Sequence, residues 1–299
     1  MLHMVAKLHY EADLSQVEIA RRLNVSAATI SRLLRRAREE GIVRIEIPDI
    51  TAPDELNRQL ARRLGLRRVA VVDAPEAGAL AALAGPVGMI LKEAGLHAGS
   101  VLAIGWGRAI GEVIQAGLPR MPGILTVPTT GGMQQSAPHF QINEFVRLAA
   151  EQTGGTPCFI HAPYLPSPES RAAFLSDPLI RDHVGLWSRV DAALVGIGRT
   201  HAPDPAGGTT SATPDERALA HAAGDVVRHY FDVSGQLIPW DGEERLIAIT
   251  PAELRATKLV IGIAISAAKV PAILGAARAG LVNALVTDVK TAEAVLASL

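Results

Sequence analysis

The sequence is poor in cysteine and lacks any apolar run that is long and uniform enough to cross a bilayer. Its one cysteine, Cys158, has no partner in the chain for a disulfide bond, which fits a reducing cytoplasm. Because Phe159 and Ile160 follow Cys158, we expect a buried apolar thiol rather than a nucleophile. The first residues carry acidic side chains and no basic stretch before an apolar one, so no signal peptide is predicted. The expected location is therefore the cytoplasm.

The sequence also lacks the motifs of several enzyme classes. It has no nucleophile elbow and no Walker loop, and its nine histidines form no pair at metal-ligand spacing. The stretch Gly105-Trp106-Gly107 has no third glycine at the spacing of the dinucleotide fingerprint, which argues against a nicotinamide cofactor. We therefore predict no catalytic residues, no metal site and no cofactor. The alternative, acid–base chemistry on a sugar phosphate by an isomerase or deaminase with a DNA-binding module, would use Asp225, Asp232, Glu253 and Lys269.

Charge is spread unevenly along the chain, although the net charge is only −1. Residues 1–47 contain eight Lys or Arg and six Asp or Glu, a balance of +2, so the remainder carries −3. This mild asymmetry permits a local patch that contacts nucleic acid, and it argues against a wholly basic surface.

Residues 14–41 have the pattern of a helix-turn-helix that reads DNA. Ala20 sits where two helices would cross closely, and Asn24 tolerates the left-handed backbone that the turn needs. Ser26 is expected to cap the second helix, because its hydroxyl can accept an orphan backbone N–H. Short side chains followed by arginines suit a major groove. The predicted DNA-binding residues are Ser26, Ala27, Ala28, Thr29, Ser31, Arg32, Arg35 and Arg36.

Two flanking segments complete this predicted domain. Residues 2–10 have helical spacing and predict a supporting helix, whereas residues 42–47 alternate apolar and polar side chains and predict a strand, as in a winged helix. The alternatives are an ordinary amphipathic helix pair and an adaptor that binds another protein. The joint spacing of Ala20, Asn24, Val25 and Ile30 favours DNA binding.

Three parts of the chain are expected: a DNA-binding domain over 1–47, a linker and connecting helix over 48–65, and an effector-binding and oligomerisation domain over 66–299. In the last part, apolar runs typical of strands buried on both faces alternate with helical patterns. This alternation predicts an α/β domain with a mostly parallel sheet. Strands are expected at 69–74, 100–105, 124–128, 158–162, 192–198, 246–250, 258–265 and 283–287, and helices at 79–94, 108–118, 143–153, 214–221, 269–279 and 291–299.

Glycine-rich segments follow several of the predicted strands. Ligands of open parallel sheets bind beyond the carboxyl ends of strands, and the N–H groups at a helix start favour an anion. Each glycine-rich segment alone is a weak signal, because tight turns also need glycine. The other candidates have structural alternatives: Asp225 could cap a helix, Phe231 could be a core residue, and Lys269 could be a solvated lysine. The predicted effector-binding residues are Gly105, Trp106, Gly107, Arg108, Gly131, Gly132, Gln134, Gln135, Gly198, Asp225, Phe231, Asp232 and Lys269.

Several segments, taken in order, resemble the SorC family of bacterial transcriptional regulators, which is sometimes grouped with DeoR-type regulators. The resemblance covers nearly the whole chain, and the order and spacing of the segments together make it specific. The segments are LSQVEIARRLNVSAATISRLLRRAREEGIVRIEI (14–47), GWGR (105–108), VPTTGG (127–132), YLPSP (164–168), VDAALVGIG (190–198), AAGDVVRHYFD (222–232), ITPAELRATKLVIGIA (249–264) and NALVTDVKTAEAVL (283–296).

The resemblance implies a second domain with the glucosamine-phosphate deaminase/ribose-phosphate isomerase-like fold, used as a sensor. It implies an effector-responsive regulator of carbohydrate metabolism whose partners are operator DNA, a sugar, polyol or sugar phosphate, and further copies of the chain in a dimer or tetramer. No membrane partner is expected. The family's phosphate cradle falls at 105–109, its second loop at 131–135, its polar wall at Asp225, Phe231 and Asp232, and its basic residue at Lys269.

The chain departs from the family pattern close to these positions. Ala109 stands where a threonine is common, residues 265–268 are not glycine-rich, and residues 227–229 are bulkier than usual. These differences leave open whether the effector carries a phosphate.

Overall fold

The computed structural model of the protein describes residues 1–12, 14–43, 54–75, 78–133, 139, 141–199, 219 and 221–299. The chain divides into two units, Met1–Pro48 and Asp49–Leu299. Three helices make up the described part of the first unit: α1 (Leu2–Tyr10), α2 (Gln16–Leu23) and α3 (Ala27–Glu39).

Apolar side chains from all three helices meet in one small core. The fully or nearly fully buried members are Val5, Ile19, Ala20, Ile30 and Leu34. The residues predicted to form the turn and the helix cap take these roles in the structure. Asn24 ends α2 with a positive φ of 52°, and the hydroxyl of Ser26 accepts the N–H of Thr29 at 3.1 Å at the start of α3.

The second unit is built on a parallel sheet of seven strands in the order β1-β9-β8-β5-β2-β3-β4. Its strands are β1 (Arg68–Val72), β2 (Val101–Ile104), β3 (Leu125–Pro128), β4 (Thr156–Pro157), β5 (Ala192–Gly196), β8 (Leu259–Ile263) and β9 (Ala284–Asp288). A separate antiparallel hairpin consists of β6 (Gly224–Val226) and β7 (His229–Phe231). The sheet confirms the predicted fold class.

Helices cover both faces of this sheet. On one face lie α5 (Ala84–Glu93), α6 (Arg108–Ala116) and α7 (Ile142–Thr153). The opposite face is covered by α4 (Asp54–Leu64), α11 (Val270–Arg278) and α12 (Val289–Ala297), with α8 (Pro168–Ser176), α9 (Pro178–Gly185) and α10 (Pro251–Ala256) contributing at its margin. Short 3-10 segments in the described part of the chain include Ala81–Leu83, Leu186–Arg189, Glu243–Arg245 and Ala267–Lys269.

Two cores result from this three-layer arrangement, and β2 shows how. Val101 and Ala103 face one core, whereas Leu102 and Ile104 face the other, because successive side chains of a strand point to opposite faces. All four are fully buried, which explains why this stretch is apolar without alternation. The helix α4 shares the first of these cores through the fully buried Leu60.

Some predicted elements were wrong. Residues 158–162 form no strand, since β4 ends just before them, and residues 246–250 make only an isolated bridge, at Thr130 and Ala248. Both segments are mostly buried loops with isolated hydrogen bonds; Ile249 N, for example, donates to Thr129 O at 2.8 Å, and Ile160 N to the side chain of Asn143 at 3.4 Å. An apolar run alone does not distinguish such a loop from a buried strand.

Other predictions lie outside the described residues. These include most of the wing strand at 42–47, the start of the linker, and the helix at 214–221 except for positions 219 and 221. Within the described part of the chain, no helix has the length and apolarity needed to cross a membrane.

The strand order reverses once, and this reversal defines where a ligand can bind. From β2 the chain continues outward to β3 and β4, and then it returns to β5 on the other side of β2 and proceeds to β8 and β9. A crevice opens outside the carboxyl ends of parallel strands at such a reversal, because the connections leave in opposite directions. The carboxyl ends of β2 and β5 are therefore the first place to look for an effector site.

Candidate functional site

The helix α3 presents the side chains that the sequence predicts to contact DNA. Ile30, Leu34 and Ala37 lie buried on one side of the helix. Thr29 and Ser31 are half-buried, and the exposed members of the predicted set are Ser26, Ala27, Ala28, Arg32, Arg35 and Arg36. The arginines therefore extend from the solvent-facing side of the helix, where a DNA backbone or base edge can reach them.

Two of these arginines already have partners on the helix. The Arg36 side chain donates to the Glu40 carboxylate at 2.6 Å, one turn further along. The Arg32 side chain lies 3.4 Å from the hydroxyl of Thr29, which is itself hydrogen-bonded to Ser26. The pairing with Glu40 partly offsets the charge of Arg36 toward an anion.

Two glycines in the loop between β2 and α6 are needed for different structural reasons. Gly105 donates its N–H to Leu194 O at 2.7 Å, and a Cβ there would lie 2.8 Å from that oxygen. Gly107 has a φ of 109° and donates to His139 O at 2.9 Å. Burial lowers the pKa of His139, and the charge of Arg108 acts in the same direction. No side chain among the described residues caps α6, which begins at Arg108.

The loop after β8 brings a lysine to the same edge of the sheet. Lys269 lies directly before α11 and donates its Nζ to Ile197 O, in the loop after β5, at 2.7 Å. Burial lowers the pKa of the Lys269 ammonium to about 8; the charge of Asp225 raises the pKa, whereas Arg108 and Arg199 lower it further. The Lys269 ammonium therefore lies beyond the carboxyl ends of the strands, within reach of the charges of Arg108, Arg199 and Asp225.

Asp225 is held in place by the backbone on both sides. Its Oδ2 accepts the N–H of Arg228 at 3.1 Å, and its Oδ1 lies against Gly198, where any Cβ would overlap with the carboxylate. Gly198 also donates its N–H to Asp225 O at 2.9 Å. The glycine is thus needed for the close approach of β6 to the loop after β5.

The loop after β3 is fixed by similarly close packing. Gly131 donates to Ile247 O at 2.8 Å, and a Cβ on it would lie 2.5 Å from Ala162 O. Gly132 donates to Ala162 O at 2.8 Å. Gln134 and Gln135, which were predicted to follow these glycines in the site, lie outside the described residues. Among the described residues, no group of three His, Cys, Asp or Glu side chains is arranged to hold a metal ion.

Comparison with known proteins gives these two units a family. A family described as "Putative sugar-binding domain" matches residues 49–297, and one described as "Winged helix-turn-helix DNA-binding" matches residues 8–44. The sorbitol operon regulator of Klebsiella pneumoniae is 32% identical to this chain, over 98% of this chain and 96% of that protein. This chain belongs to the SorC family of sugar-binding transcriptional regulators. It is accordingly a regulator that binds DNA and has a domain for a small-molecule effector.

Other relatives of this SorC-family protein agree over the same length. The deoxyribonucleoside regulator of Bacillus subtilis is 27% identical, over 97% of this chain and 95% of that protein. The crystal structure of the full-length sorbitol operon regulator SorC from Klebsiella pneumoniae superposes with a TM-score of 0.77 at 29% identity, covering 99% of this chain and 97% of that one. These relatives are named as regulators rather than as enzymes.

Two residues of the predicted polar wall have structural contacts of their own in this SorC-family protein. Phe231 is fully buried and packs against Gly275 of α11, six residues beyond Lys269 or about 9 Å along a helix. Asp232 is partly exposed and accepts bonds from the Ser234 hydroxyl and from the N–H of Gln236, so it closes a local turn. These contacts suit a core residue and a turn residue, and a role of either in effector binding stays a prediction.

Two residues that the sequence analysis did not predict do lie at the site. Arg199 acts on the pKa of Lys269, and Arg228 contacts the ring of Trp106. The sequence does contain a signal that could have identified Arg199, since this residue directly follows the glycines at positions 196 and 198, at the end of the β5 segment. Arg228 reaches the site through the β6–β7 hairpin, whose three-residue strands give too short a pattern to recognise.

Proposed function

We propose that the effector is a phosphorylated sugar or polyol, and that its phosphate binds in the crevice between the carboxyl ends of β2 and β5. One observation carries this proposal: Lys269 reaches Ile197 O in the loop after β5, where its ammonium lies within the charge fields of Arg108, Arg199 and Asp225. Burial disfavours the charged ammonium form of Lys269, so a bound anion would supply the negative charge that favours this form.

Each group has a distinct role in this proposal. The first N–H groups of α6 and the guanidinium of Arg108 donate to phosphate oxygens, as helix starts and arginines commonly do. Lys269 neutralises the phosphate charge. An ionised carboxylate can only accept hydrogen bonds. Asp225 therefore takes a hydrogen bond from a sugar hydroxyl and so selects for a polyhydroxy compound.

The DNA-binding face in this proposal is the exposed side of α3. Arg32 and Arg35 contact phosphates or base edges, and the short residues at the start of the helix allow it to enter the groove. A unit of about 48 residues makes few contacts alone, so we propose that copies pair through the second unit as a dimer or tetramer. The effector then shifts the population between arrangements of the paired reading helices. Action on operator DNA supports the proposal that the protein works in the cytoplasm.

A matched set of compounds tests the effector class. Sorbitol enters the set because a relative is named a sorbitol operon regulator, and the arms are sorbitol 6-phosphate, sorbitol and inorganic phosphate. At a hundredfold excess over its dissociation constant, a bound effector stabilises the folded state by about 2.7 kcal/mol, visible as a rise in Tm. Phosphates of other hexitols, hexoses and pentoses complete the screen. Equal stabilisation by unphosphorylated and phosphorylated forms would contradict a phosphate site.

A sensor leaves its effector unchanged, and this separates a regulator from a related enzyme. Pentose and hexosamine phosphates incubated with the protein should be recovered intact, with no isomer and no free ammonia. Turnover above the uncatalysed rate would support the alternative, an isomerase or deaminase that carries a DNA-binding domain.

A further inference from the structure

The turn between β6 and β7 is made by two residues with an unusual backbone. Val227 and Arg228 have φ values of 53° and 65°, the left-handed region that two-residue hairpins of this kind require. Glycine and asparagine adopt this conformation most readily, whereas a β-branched residue and a long side chain are disfavoured in it. Compensating contacts must therefore hold the turn, and those of Arg228 are the most extensive.

The side chain of Arg228 is buried between aromatic rings. The residue is 1% exposed, and its guanidinium carbon lies 4.6 Å from the ring centroid of Trp106 and 5.4 Å from that of Tyr164. Its Nη1 lies 3.4 Å from the hydroxyl of Tyr230. A guanidinium between two π faces is an attractive arrangement that gains strength away from water.

Three of the groups that Arg228 contacts belong to different parts of the candidate site. Trp106 lies in the loop that enters α6, between Gly105 and Arg108. Tyr164 is tied to the loop after β3, because its N–H donates to Gly132 O at 3.0 Å. The backbone N–H of Arg228 donates to Asp225, the carboxylate of the site. One residue of the hairpin thus connects three segments that are far apart in sequence.

We propose that Arg228 is a positioning residue of the effector site, which couples the loop after β2 to the Tyr164 segment and so holds the site ready for ligand. The guanidinium orients the indole of Trp106 and keeps the backbone around Gly107 in place. Tyr164 transmits the same constraint to Gly132. The consequence for effector binding rests on the proposed function above, whereas the coupling between the two segments does not.

Arg228→Gly is the most informative variant, because glycine suits a φ of 65° and the fold is not strained by the change. Arg228→Lys keeps the charge and loses the planar stacking surface. Arg278→Ala is the matched control: this arginine donates to Val233 O, shortly after β7, and lies on α11. All three full-length variants are compared with the unchanged protein.

Hydrogen–deuterium exchange measures the coupling without any ligand. In Arg228→Gly, peptides covering residues 104–109 and 161–166 should both exchange at least about tenfold faster, because opening of either segment no longer breaks a shared contact. Arg228→Lys should fall between, and Arg278→Ala should match the unchanged protein. Unchanged exchange in Arg228→Gly, or faster exchange in only one of the two segments, would overturn the coupling.

Binding of sorbitol 6-phosphate then tests the consequence for the effector site. The dissociation constant should rise about tenfold in Arg228→Gly and less in Arg228→Lys, with operator affinity in the absence of ligand unchanged. Faster exchange in both segments with an unchanged dissociation constant would overturn the positioning role. If the unchanged protein binds no phosphorylated compound of the screen, the proposed function is wrong, and the exchange comparison still decides whether Arg228 couples the two segments.

Discussion

The reading helix of the first unit and the first helix of the candidate effector site begin in different ways. In the DNA-binding unit, α2 and α3 start with serines, Ser15 and Ser26, whose hydroxyls accept N–H groups of the first turn. At the effector site, α6 starts after Gly107, and no side chain of the described residues caps it. The turn that leads into α11 does have a cap, because the Ser266 hydroxyl accepts the N–H of Ala268. Elsewhere in the second unit, side-chain caps lie at Ser167, Asp177, Thr250 and Asp288, whereas α5 and α7 have none among the described residues.

In α3, a side chain of the same chain satisfies an N–H group at the helix start, whereas the start of α6 leaves N–H groups that a ligand can bind. A side-chain cap contributes about 1 kcal/mol and occupies the N–H groups that would otherwise bind an anion. The reading helix α3 is therefore complete without a partner. The effector site keeps the start of α6 available, at a cost in stability that an anionic effector offsets on binding.

The largest effect is expected from removing the buried lysine of the effector site. Lys269→Ala should weaken binding of the phosphorylated effector by about 10- to 100-fold, since a hydrogen bond to a charged group contributes about 1.5–3 kcal/mol. Titration calorimetry measures this, and operator affinity without effector should not change. Lys258→Ala is the matched control, because this exposed lysine lies at the opposite end of the same strand, β8. A normal effector response in Lys269→Ala would remove this residue from the site.

The next effect concerns the capped helix of the other unit. Arg32→Ala and Arg35→Ala should each weaken operator binding about tenfold or more, since a good arginine–base pair is worth about 1–3 kcal/mol. The rise in Tm caused by the effector should stay the same in both variants. Arg147→Ala, an exposed arginine paired with Glu144 and Glu151 on α7, serves as control. Wild-type operator binding by both variants would show that α3 does not read DNA as proposed.

The pKa of Lys269 makes the open site dependent on pH. Folding lowers this pKa from 10.5 to about 8, so the unfolded chain binds more protons between these values, and the free energy of unfolding should rise from pH 8 to pH 10.5. A bound anion favours the ammonium, so binding should take up a proton above pH 8 and weaken by up to about tenfold per pH unit. Calorimetry in two buffers with different ionisation enthalpies measures the proton. Lys269→Ala should abolish the uptake, and its persistence there would assign it to another group.

The smallest effect is expected from the cap itself. Ser26→Ala should destabilise the DNA-binding unit by about 1 kcal/mol, because the N–H of Thr29 loses its acceptor. Ser26→Asp retains a capping oxygen and should restore most of the loss. Chemical denaturation of the full chain, followed on this unit, measures both variants, and effector binding should be unaffected. Equal stability of all three proteins would mean that this hydrogen bond adds nothing to the fold.

Local chemistry explains what could be predicted from the sequence. The cap at Ser26, the left-handed turn at Asn24 and the apolar spacing of α3 depend on neighbours within a few residues. The buried strands were equally recognisable, since β2 and β5 are apolar on both faces. The placement of Lys269 directly before a helix followed from the strand that precedes it.

Long-range packing explains what was missed. Residues 158–162 and 246–250 are apolar because they are buried, yet their backbones do not extend into strands. Phe231 and Asp232 were assigned to the site together with Asp225 as the polar wall that the family resemblance implies, and this assignment stays a prediction. Residue 225, however, approaches Gly198, whereas Phe231 packs on α11. Arg199 and Arg228 join the site only after the sheet and the hairpin have assembled.

The indole stacked on Arg228 gives the protein a built-in optical probe. Of its three tryptophans, Trp187 is buried and donates its Nε1 to Pro128 O, and Trp240 is buried beside Tyr230. Trp106 alone lies in the loop between β2 and α6, half-buried and next to a cation. Its emission is therefore sensitive to any displacement of that loop. With Trp187 and Trp240 replaced by phenylalanine, the remaining fluorescence follows the effector site without any attached dye.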